Sequence, residues 1–474
     1  MLESTRVEGA IKELLETLYS HSKPSRRQDA KHLPQLKILI LNLIKASKHP
    51  DGLMTIPLSA GAYSEMNNVT YRVLVKHHLE TLIQMKWLKL HRGYYGSQDR
   101  RLTRVRPYKP LREWLKVLYI DPNDLERTAP SRCLFLKDDK KQGIPVPPEL
   151  QEKAEQLETN THKINANMEK TFIDLFADAY ELEEINEQMS SKALDDSYQA
   201  NHLDLSSKYL KRIFNNSSLE EGGRFYDGWW QSIPSEHRPL ISLNGDFTVE
   251  LDYSSIHIHL LYALLQRPCP MDDPYVFGKL KRTHRDQTKQ LMMMLINASS
   301  EKGALASAEN EGLFDGELPK GIETPEDYVA EIYKNHEPIQ QFFSSGYGVK
   351  LQYTDSQIAE AVMLSMLPEP CLPVHDSFIV ISTKAQKLRR VMNEEFKAVT
   401  GVDAKVKATV IEVSENRKSI IDNLIDDELS GYSGRLHDWR IKYNWRYFTE
   451  GGSSDDKPQL AHQTILEKPP SGVY

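Results

Sequence analysis

Residues 249–257 have the sequence VELDYSSIH, and the fold of the chain follows from them. Val249 and Leu251 alternate with polar residues, which predicts a β-strand that carries Asp252 near its end. The apolar spacing over residues 256–264 then predicts a helix that begins almost immediately. A single carboxylate is therefore presented where a strand gives way to a helix.

A second stretch, residues 372–381, has the sequence LPVHDSFIVI. It predicts two short strands folded about His375 and Asp376, so that a second carboxylate lies at a tight turn. Two aspartates held by adjacent strand ends can share a pair of Mg²⁺ ions, because Mg²⁺ prefers hard oxygen ligands and keeps substrate phosphates in its shell. Asp252 and Asp376 therefore predict a two-metal site for phosphoryl transfer.

The segment between the two aspartates contains four residues spaced by four: Arg285, Lys289, Met293 and Asn297. This spacing places them along one face of a helix. The predicted helix is about 18 Å long at about 1.5 Å per residue. That length is enough to run from a triphosphate to a base.

These motifs together resemble the family A DNA polymerases. Residues 252–256 (DYSSI) resemble motif A, and the series from Arg285 to Asn297 has the spacing of the motif B helix. Residues 374–377 (VHDS) resemble motif C, in a form also seen in single-subunit, phage-type RNA polymerases. Three further segments match in order: 223–225 (GRF), 231–234 (QSIP) and 352–355 (QYTD). The resemblance covers roughly residues 200 to 415.

The resemblance implies an α+β fold with a right-hand palm, formed by an antiparallel sheet with helices, and helical fingers. It implies that Asp252, Asp376 and the carbonyl of Tyr253 hold two Mg²⁺ ions, which Mn²⁺ could replace. Arg285 and Lys289 would neutralise the triphosphate, and Lys289 could also protonate the leaving pyrophosphate.

Further substrate contacts are implied for six residues. Arg224 would contact the primer terminus or a phosphate, and Gln352 the minor-groove side of the primer-template. His257, five residues beyond Asp252, occupies the position that screens the sugar 2′-hydroxyl. Its bulk favours deoxynucleotides, while its ability to hydrogen-bond that hydroxyl leaves ribonucleotides open. The remaining three are Met293, Asn297 and His375. Asn297 and the following Ala298 depart from the family, which favours an aromatic residue followed by Gly.

The N-terminal part resembles a winged helix-turn-helix domain, with two helices followed by a basic hairpin. Between residues 86 and 116 there are ten Lys or Arg residues and two acids. Cations neutralise DNA phosphates and release counterions, so the hairpin predicts a wing on duplex DNA. The residues predicted to bind DNA are Arg92, Tyr94, Arg100, Arg101 and Arg104. A solvated basic hairpin and a protein-binding surface remain alternatives.

Five segments are predicted: a leader helix with a basic segment (1–30), the winged-helix-like domain (31–118), a linker with a helical, thumb-like region (119–200), the palm and fingers (201–415), and a partly mobile extension (416–474). Within them, a Pro- and Lys-rich connector is predicted over residues 137–148, a charged helix over 149–187 and a helix over 384–400. Gln352 and Thr354 are predicted to precede a further helix, which Thr354 and Asp355 could cap. The composition, with 39% apolar and 27% charged residues and a net charge of −7, is typical of soluble globular proteins. Three dispersed cysteines argue against zinc and against disulfides. The sequence shows no membrane-spanning run or signal peptide, so a cytoplasmic protein without membrane contact is expected.

The leading hypothesis is a template-directed DNA polymerase without a proofreading exonuclease, acting on a primer-template or a single strand with nucleoside triphosphates. It would suit a plasmid, phage or other mobile element. RNA or primer synthesis and untemplated tailing would use the same site. A nuclease could use the same metals without needing the Arg/Lys helix. From another class, a DNA-binding replication initiator or regulator could retain an inactive palm. The sequence leaves the oligomeric state open.

Overall fold

The computed structural model describes residues 2–22, 27–47, 52–63, 69–95, 100–101, 103–120, 125, 127–191, 202–403, 408–412 and 431–449. Helices and mainly antiparallel strands form an α+β protein, which confirms the predicted class at that level. The helices are α1 (Leu2–Ser22), α2 (Asp29–Ala46), α3 (Tyr71–Val73), α4 (Glu80–Gln84), α5 (Lys109–Val117), α6 (Gln151–Lys170), α7 (Ala179–Ser191), α8 (Ile256–Leu264), α9 (Arg285–Asn297), α10 (Glu301–Asn310), α11 (Pro325–Asn335), α12 (Gly348–Met366), α13 (Ala385–Thr400) and α14 (Tyr432–Thr449). The π-helical segment Leu74–Leu79 joins α3 to α4.

The strands form four sheets. In chain order they are β1 (Met54–Thr55), β2 (Leu88–His91), β3 (Tyr94–Tyr95), β4 (Arg100–Arg101), β5 (Arg104–Pro107), β6 (Leu134–Lys137), β7 (Gly143–Ile144), β8 (Ile173–Leu175), β9 (Lys211–Phe214), β10 (Gly222–Tyr226), β11 (Ile241–Leu243), β12 (Asp246–Tyr253), β13 (Leu372–Val374), β14 (Ser377–Ile381) and β15 (Ala408–Glu412). No helix among the described residues is both long and apolar enough to cross a membrane.

The N-terminal helices share one apolar core. Ile11, Leu14 and Leu18 on α1 pack with residues of α2 and of the continuous helix from α3 to α4. Burying each such side chain contributes about 1.5–3 kcal/mol. The leader predicted for residues 1–30 is therefore, over α1, part of the packed core of the domain that follows it.

The basic hairpin is present where the sequence predicts it. Strands β2 and β5 pair in antiparallel register, with His91 opposite Arg104, and β1 adds a third strand on the other side of β5. The short pair β3 and β4 extends the hairpin beyond this sheet. The continuous helix from α3 to α4 leads directly into β2. The order of helices and strands thus agrees with the predicted arrangement of two helices and a basic hairpin.

Strand β12 lies inside the largest sheet, whose order is β13-β14-β12-β11-β8. Its second half, from Val249 to Tyr253, also pairs with β15, so this end has a strand on both sides. The predicted turn about His375 separates β13 from β14. The side chains of β12 alternate across the sheet, so Glu250 and Asp252 share one face while Leu251 and Tyr253 enter the core.

Residues 119–200 contribute more strand than the sequence predicts. The charged helix expected over residues 149–187 is interrupted by β8, which pairs with β11 of the largest sheet. The expected connector over residues 137–148 contains β7, and β6 pairs with β9 in the one parallel ladder within the described chain. Strands from this region therefore pair across the predicted boundary at residue 200.

Helix boundaries around the site follow the prediction with one exception. Helix α9 spans the whole series from Arg285 to Asn297, and α13 coincides with the predicted helix over residues 384–400. Gln352 and Thr354, however, do not precede a helix: they lie within α12, which begins at Gly348. The capping role predicted for Thr354 and Asp355 is therefore wrong.

Helix α14 packs against the edge of the largest sheet. The guanidinium of Arg435 donates two hydrogen bonds, of 2.7 and 2.9 Å, to the buried carboxylate of Asp174 on β8. The hydroxyls of Tyr432 and Ser242 lie 2.6 Å apart. Apart from residues 431–449, the extension predicted to be partly mobile lies outside the described residues.

Candidate active site

Paired strands bring the two predicted aspartates together. Asp252 near the end of β12 lies opposite Ser377, the first residue of β14, and Asp376 directly precedes that strand. The backbone N–H of Tyr253 donates to the carbonyl oxygen of Asp376 at 3.2 Å. His375 has a φ of +57°, a left-handed conformation that tightens the turn on which Asp376 lies.

The two carboxylates are insufficiently compensated by positive charge. Burial, the charge of Asp376 and the charge of Glu250 raise the pKa of Asp252 to about 7, and only part of this is offset by Lys289 and Arg238. A raised carboxyl pKa means that the anion is destabilised where it stands. A bound cation would relieve that cost, so this strand end is a candidate metal centre.

A buried ion pair, which the sequence patterns do not indicate, lies beside the aspartates. Glu250 accepts a hydrogen bond of 3.0 Å from Arg238 and another from the hydroxyl of Ser377. Ser377 lies opposite Asp252 in the ladder, so this network fixes the start of β14. The sequence signal that could have indicated this pair is Glu250, which lies two positions before Asp252 in the same strand and therefore on the same face of the sheet.

Lys289 lies near Asp252 and His257. Its side chain is exposed, and it forms no salt bridge with any described residue. Its charge lowers the pKa of Asp252 and also that of His257, which places the ammonium group near both. An exposed lysine in this position is able to bind an anionic group beside Asp252.

Arg285 lies one turn before Lys289 on α9 and is fixed by contacts with Asp273 and Tyr275. Its Nε donates to Asp273 at 2.7 Å, and its guanidinium lies 5.3 Å from the centre of the Tyr275 ring. Burial, and to a smaller extent the charge of Asp376, raise the pKa of Tyr275, so this tyrosine lies near both Arg285 and Asp376. Arg285 already has a carboxylate partner in Asp273.

The other predicted residues of α9 lie farther along the helix. The side-chain amide of Asn297 donates to the carbonyl of Met293 at 2.8 Å, and Asn297 lies against the backbone of Gly348 at the start of α12. Close approach explains a glycine at residue 348, since a Cβ there would overlap the Asn297 amide. No contact among the described residues joins Met293 or Asn297 to the aspartates.

Arg224, His257 and Asp355 form a second cluster. Arg224 on β10 donates to the buried carboxylate of Asp355 at 2.8 and 2.9 Å, and to Nε2 of His257 at 3.1 Å. Burial and the charge of Arg224 lower the pKa of His257 to about 4, so its imidazole is neutral. An Nε2 that accepts leaves the proton on Nδ1. The cluster therefore orients His257 as a donor.

Asp355 was missed as a functional residue because its sequence context suggested a helix cap. Burial raises its pKa to about 7 in spite of Arg224. Gln352 lies one turn earlier on α12 and is half-buried, whereas His375 is exposed beside Asp376. The structure thus gathers Asp252, Asp376, Lys289, His257 and Arg224, with Gln352 and His375 at the margin.

The buried side chain of Arg212 connects β9 to α12 and to the strand that carries Arg224. Arg212 on β9 is 0% exposed and donates to Glu360 at 2.6 Å, to Ser356 at 3.1 Å and to the carbonyl of Gly223 at 2.9 Å. Gly223 has a φ of +78°, and a Cβ there would lie 2.7 Å from the Phe214 ring. The chain therefore passes close to α12 just before Arg224.

Some of the residues predicted to bind DNA are exposed on the basic hairpin. Arg92 is exposed and Tyr94 is 46% exposed, while Arg104 is half-buried at the start of β5. Arg100 and Arg101 form β4, but their side chains lie outside the description. These residues lie in the N-terminal sheets, separate in sequence from the aspartate site.

No protein-family model matches this chain, and none of the curated proteins matches it either.

Proposed function

We propose that this chain is a nucleotidyltransferase that extends a nucleic-acid 3′ end by two-metal phosphoryl transfer, as a template-directed DNA polymerase similar to family A. One observation carries the proposal: Asp252 and Asp376 meet at neighbouring strand ends, with the charge of Lys289 acting on Asp252. On this proposal the sheet around β12 is the palm, and α9 belongs to the fingers. The resemblance of the motifs supports the same reading.

The residues present fit Mg²⁺. Two carboxylates stand close together, and the raised pKa of Asp252 reflects an anion that lacks a partner. Asp252, Asp376 and the carbonyl of Tyr253 would hold the ions, which, when bound, activate the primer hydroxyl and neutralise the phosphates. Hard oxygen ligands favour Mg²⁺, and Mn²⁺ is the expected substitute.

The chain's own residues would then orient the triphosphate. Lys289 binds its phosphates and can donate a proton to the leaving pyrophosphate. Arg285 can join it through the guanidinium N–H groups that its Nε hydrogen bond to Asp273, of 2.7 Å, does not use. His257, oriented by Arg224, stands at the sugar as a bulky neutral donor, which favours deoxynucleotides.

The N-terminal domain would hold duplex DNA in the manner of a winged helix. Its support is the continuous helix from α3 to α4 that leads into an antiparallel basic hairpin with Arg92 and Tyr94 exposed. Phosphate contacts of this kind depend on salt concentration. A DNA affinity that falls steeply with added salt is therefore expected.

Primer extension by the purified chain with Mg²⁺ tests the proposal. The templates would be a primer-template, an unprimed template and a single strand, each with dNTPs or rNTPs. Asp252→Asn and Asp376→Asn should each abolish incorporation, whereas Asp246→Asn, exposed at the other end of β12, should not.

The substrate panel also separates the alternatives. Extension of the single strand alone would indicate tailing, and synthesis on the unprimed template with rNTPs would indicate a primase or RNA polymerase. Metal-dependent shortening of the DNA would indicate a nuclease. Intact DNA binding without any incorporation would refute the enzymatic proposal and favour a DNA-binding initiator or regulator.

A further inference from the structure

Three histidines from two distant segments form a compact cluster in the N-terminal domain. His32 lies in the first turns of α2, and His77 and His78 lie in the π-helical segment 74–79. The ring of His32 lies 4.5 Å from that of His77 and 5.2 Å from that of His78, and the last two rings are 5.0 Å apart. Tyr19 of α1 packs against His32 and His77. Nothing in the polymerase proposal uses this cluster.

Hydrogen bonds constrain the protons of two of these rings. Nε2 of His78 lies 3.0 Å from the carbonyl oxygen of His32, and a carbonyl only accepts, so His78 carries its proton on Nε2 and its Nδ1 is unprotonated. Nε2 of His77 lies 2.9 Å from the hydroxyl of Ser22, which is also 2.8 Å from the carbonyl of Leu18. When the hydroxyl donates to Leu18, Nε2 of His77 donates to the hydroxyl, and Nδ1 of His77 is then unprotonated as well.

The Nδ1 atoms of His77 and His78 lie 3.2 Å apart. Without a metal, the Ser22 hydroxyl can donate to Nε2 of His77, and Nδ1–H of His77 can then donate to Nδ1 of His78. In the other tautomer of His77 both Nδ1 atoms present lone pairs, and a cation between them would be bound by both. In a tetrahedral site with Zn–N bonds of about 2.0–2.1 Å, the ligand nitrogens are about 3.3–3.4 Å apart. The 3.2 Å between the two Nδ1 atoms is close to this distance between ligand nitrogens.

His32 supplies the third nitrogen. Its side chain is buried, with 9% of the residue exposed, and its Nδ1 has no hydrogen-bond partner within the described structure. One ring nitrogen from each of the three histidines lies within 4.8 Å of the others. A buried imidazole nitrogen without a hydrogen-bond partner is costly unless a ligand satisfies it.

We propose that His32, His77 and His78 bind a Zn²⁺ ion through their ring nitrogens, with the fourth position left to water. Imidazole nitrogens suit Zn²⁺, whereas Mg²⁺ prefers oxygen, so this site is chemically separate from the aspartate pair.

The dispersed cysteines do not offer an equivalent site. Cys133, Glu158 and His162 also lie close together, but burial raises the pKa of the Cys133 thiol to about 12. The Glu158 carboxylate already accepts from the backbone N–H groups of Cys133 and Leu134. A protonated thiol and an occupied carboxylate are poor ligands. A substitution in this group, Cys133→Ser, therefore serves as the control for zinc bound elsewhere in the chain.

The zinc site would tie three elements together. Ser22 at the end of α1 supports His77, His32 belongs to α2, and the π-helical segment is continuous with the helix that leads into the basic hairpin. A π-helical turn offsets the helix register, and such turns are frequent at functional sites. The ion would thus fix the helix that precedes β2 against the first two helices.

The test measures bound zinc in the full chain. The protein is stripped with a chelator and dialysed against buffered Zn²⁺ in excess Mg²⁺, which occupies the aspartate site, and metal per chain is measured by mass spectrometry. Wild type and His21→Gln, a matched change of an exposed histidine on α1, should each retain one Zn²⁺. His77→Gln and His32→Gln should each bind at least tenfold more weakly.

Cobalt provides a second readout. Co²⁺ added to the stripped protein should give the intense visible absorption of a tetrahedral ion in wild type, and that absorption should be absent in His32→Gln. Circular dichroism of the metal-free proteins shows whether a variant folds, and His32→Gln is decisive because its Nδ1 has no hydrogen bond to lose. Substoichiometric zinc in wild type, undiminished zinc in both variants, or zinc lost only in Cys133→Ser would overturn the proposal.

Discussion

Replacing Asp252 by Asn should stabilise the metal-free protein while abolishing incorporation. Burial and the neighbouring Asp376 raise the pKa of Asp252 from 3.8 to about 7. Since one pKa unit corresponds to about 1.36 kcal/mol, the charged form costs the folded state at most about 4 kcal/mol at pH 8. Asp252 is partly in contact with water, which screens the charge, so we expect a gain of roughly 1–3 kcal/mol.

The sign of the pH dependence follows from the direction of the pKa change. A carboxyl group whose pKa is higher in the folded than in the unfolded state binds its proton more tightly when folded. Its contribution to the free energy of unfolding is therefore lost as pH rises from about 4 to about 7. The advantage of Asp252→Asn should be greatest at pH 8 and should shrink markedly by pH 5.

Urea unfolding in EDTA, followed by tryptophan fluorescence, measures this difference. Asp246→Asn is the matched control, because Asp246 is exposed at the opposite end of β12. Saturating Mg²⁺ should stabilise wild type and leave Asp252→Asn unchanged, since a ligand that binds only the folded state shifts the equilibrium. If Asp252→Asn were less stable than wild type at pH 8 in EDTA, the inference of a destabilised anion would be refuted.

Three further predictions concern the surroundings of the site. Lys289→Ala should slow single-turnover incorporation about 10²–10³-fold, through loss of phosphate binding and proton donation, whereas Lys302→Ala, exposed on α10, should not. Arg212→Met should cost about 3–5 kcal/mol in thermal unfolding, because it leaves Glu360 buried without its cation, and adding Glu360→Leu should recover part of that loss. Gly223→Ala should cost at least about 1–3 kcal/mol by the same measurement, because of its positive φ and the nearby Phe214 ring, and Gly316→Ala, in open space, is its control.

Each of these predictions can fail in a defined way. Equal rates for the two lysine variants would remove Lys289 from the site. A double variant of Arg212 and Glu360 no more stable than Arg212→Met alone would mean that the two side chains do not act as a pair. If the two glycine variants were equally stable, the chain around residue 223 would accommodate a side chain without any loss of stability.

Local patterns in the sequence predicted the elements that carry the site. The alternation before Asp252, the turn at His375 and the four-residue spacing from Arg285 each depend on neighbours within a few residues. These signals gave β12, the pair β13 and β14, and helix α9. The juxtaposition of Asp252 with Asp376 followed because each was expected at a strand end.

Features that depend on distant pairing were missed. The three residues of β8 form a strand because β11 pairs with them, and their charged surroundings predicted helix. Asp355 resembled a cap because nothing nearby in the sequence indicates that Arg224 lies beside it. His32 and His77 of the histidine cluster are 45 positions apart in the sequence, and only one contact of the cluster, between His77 and His78, is local. The cysteine spacing carried no information about it.

The ion pair between Arg435 and Asp174 also affects the timing of folding during synthesis. The two residues are 261 positions apart, so a ribosome that adds 5–20 residues per second needs about 13–50 s to pass from one to the other. Once β11 has been made and pairs with β8, Asp174 lacks its cation and the β8 edge lacks its contact with α14 until Arg435 is made. Uncovered edges pair readily with other chains. The edge at β8 is therefore open to such pairing until the last described helix is made.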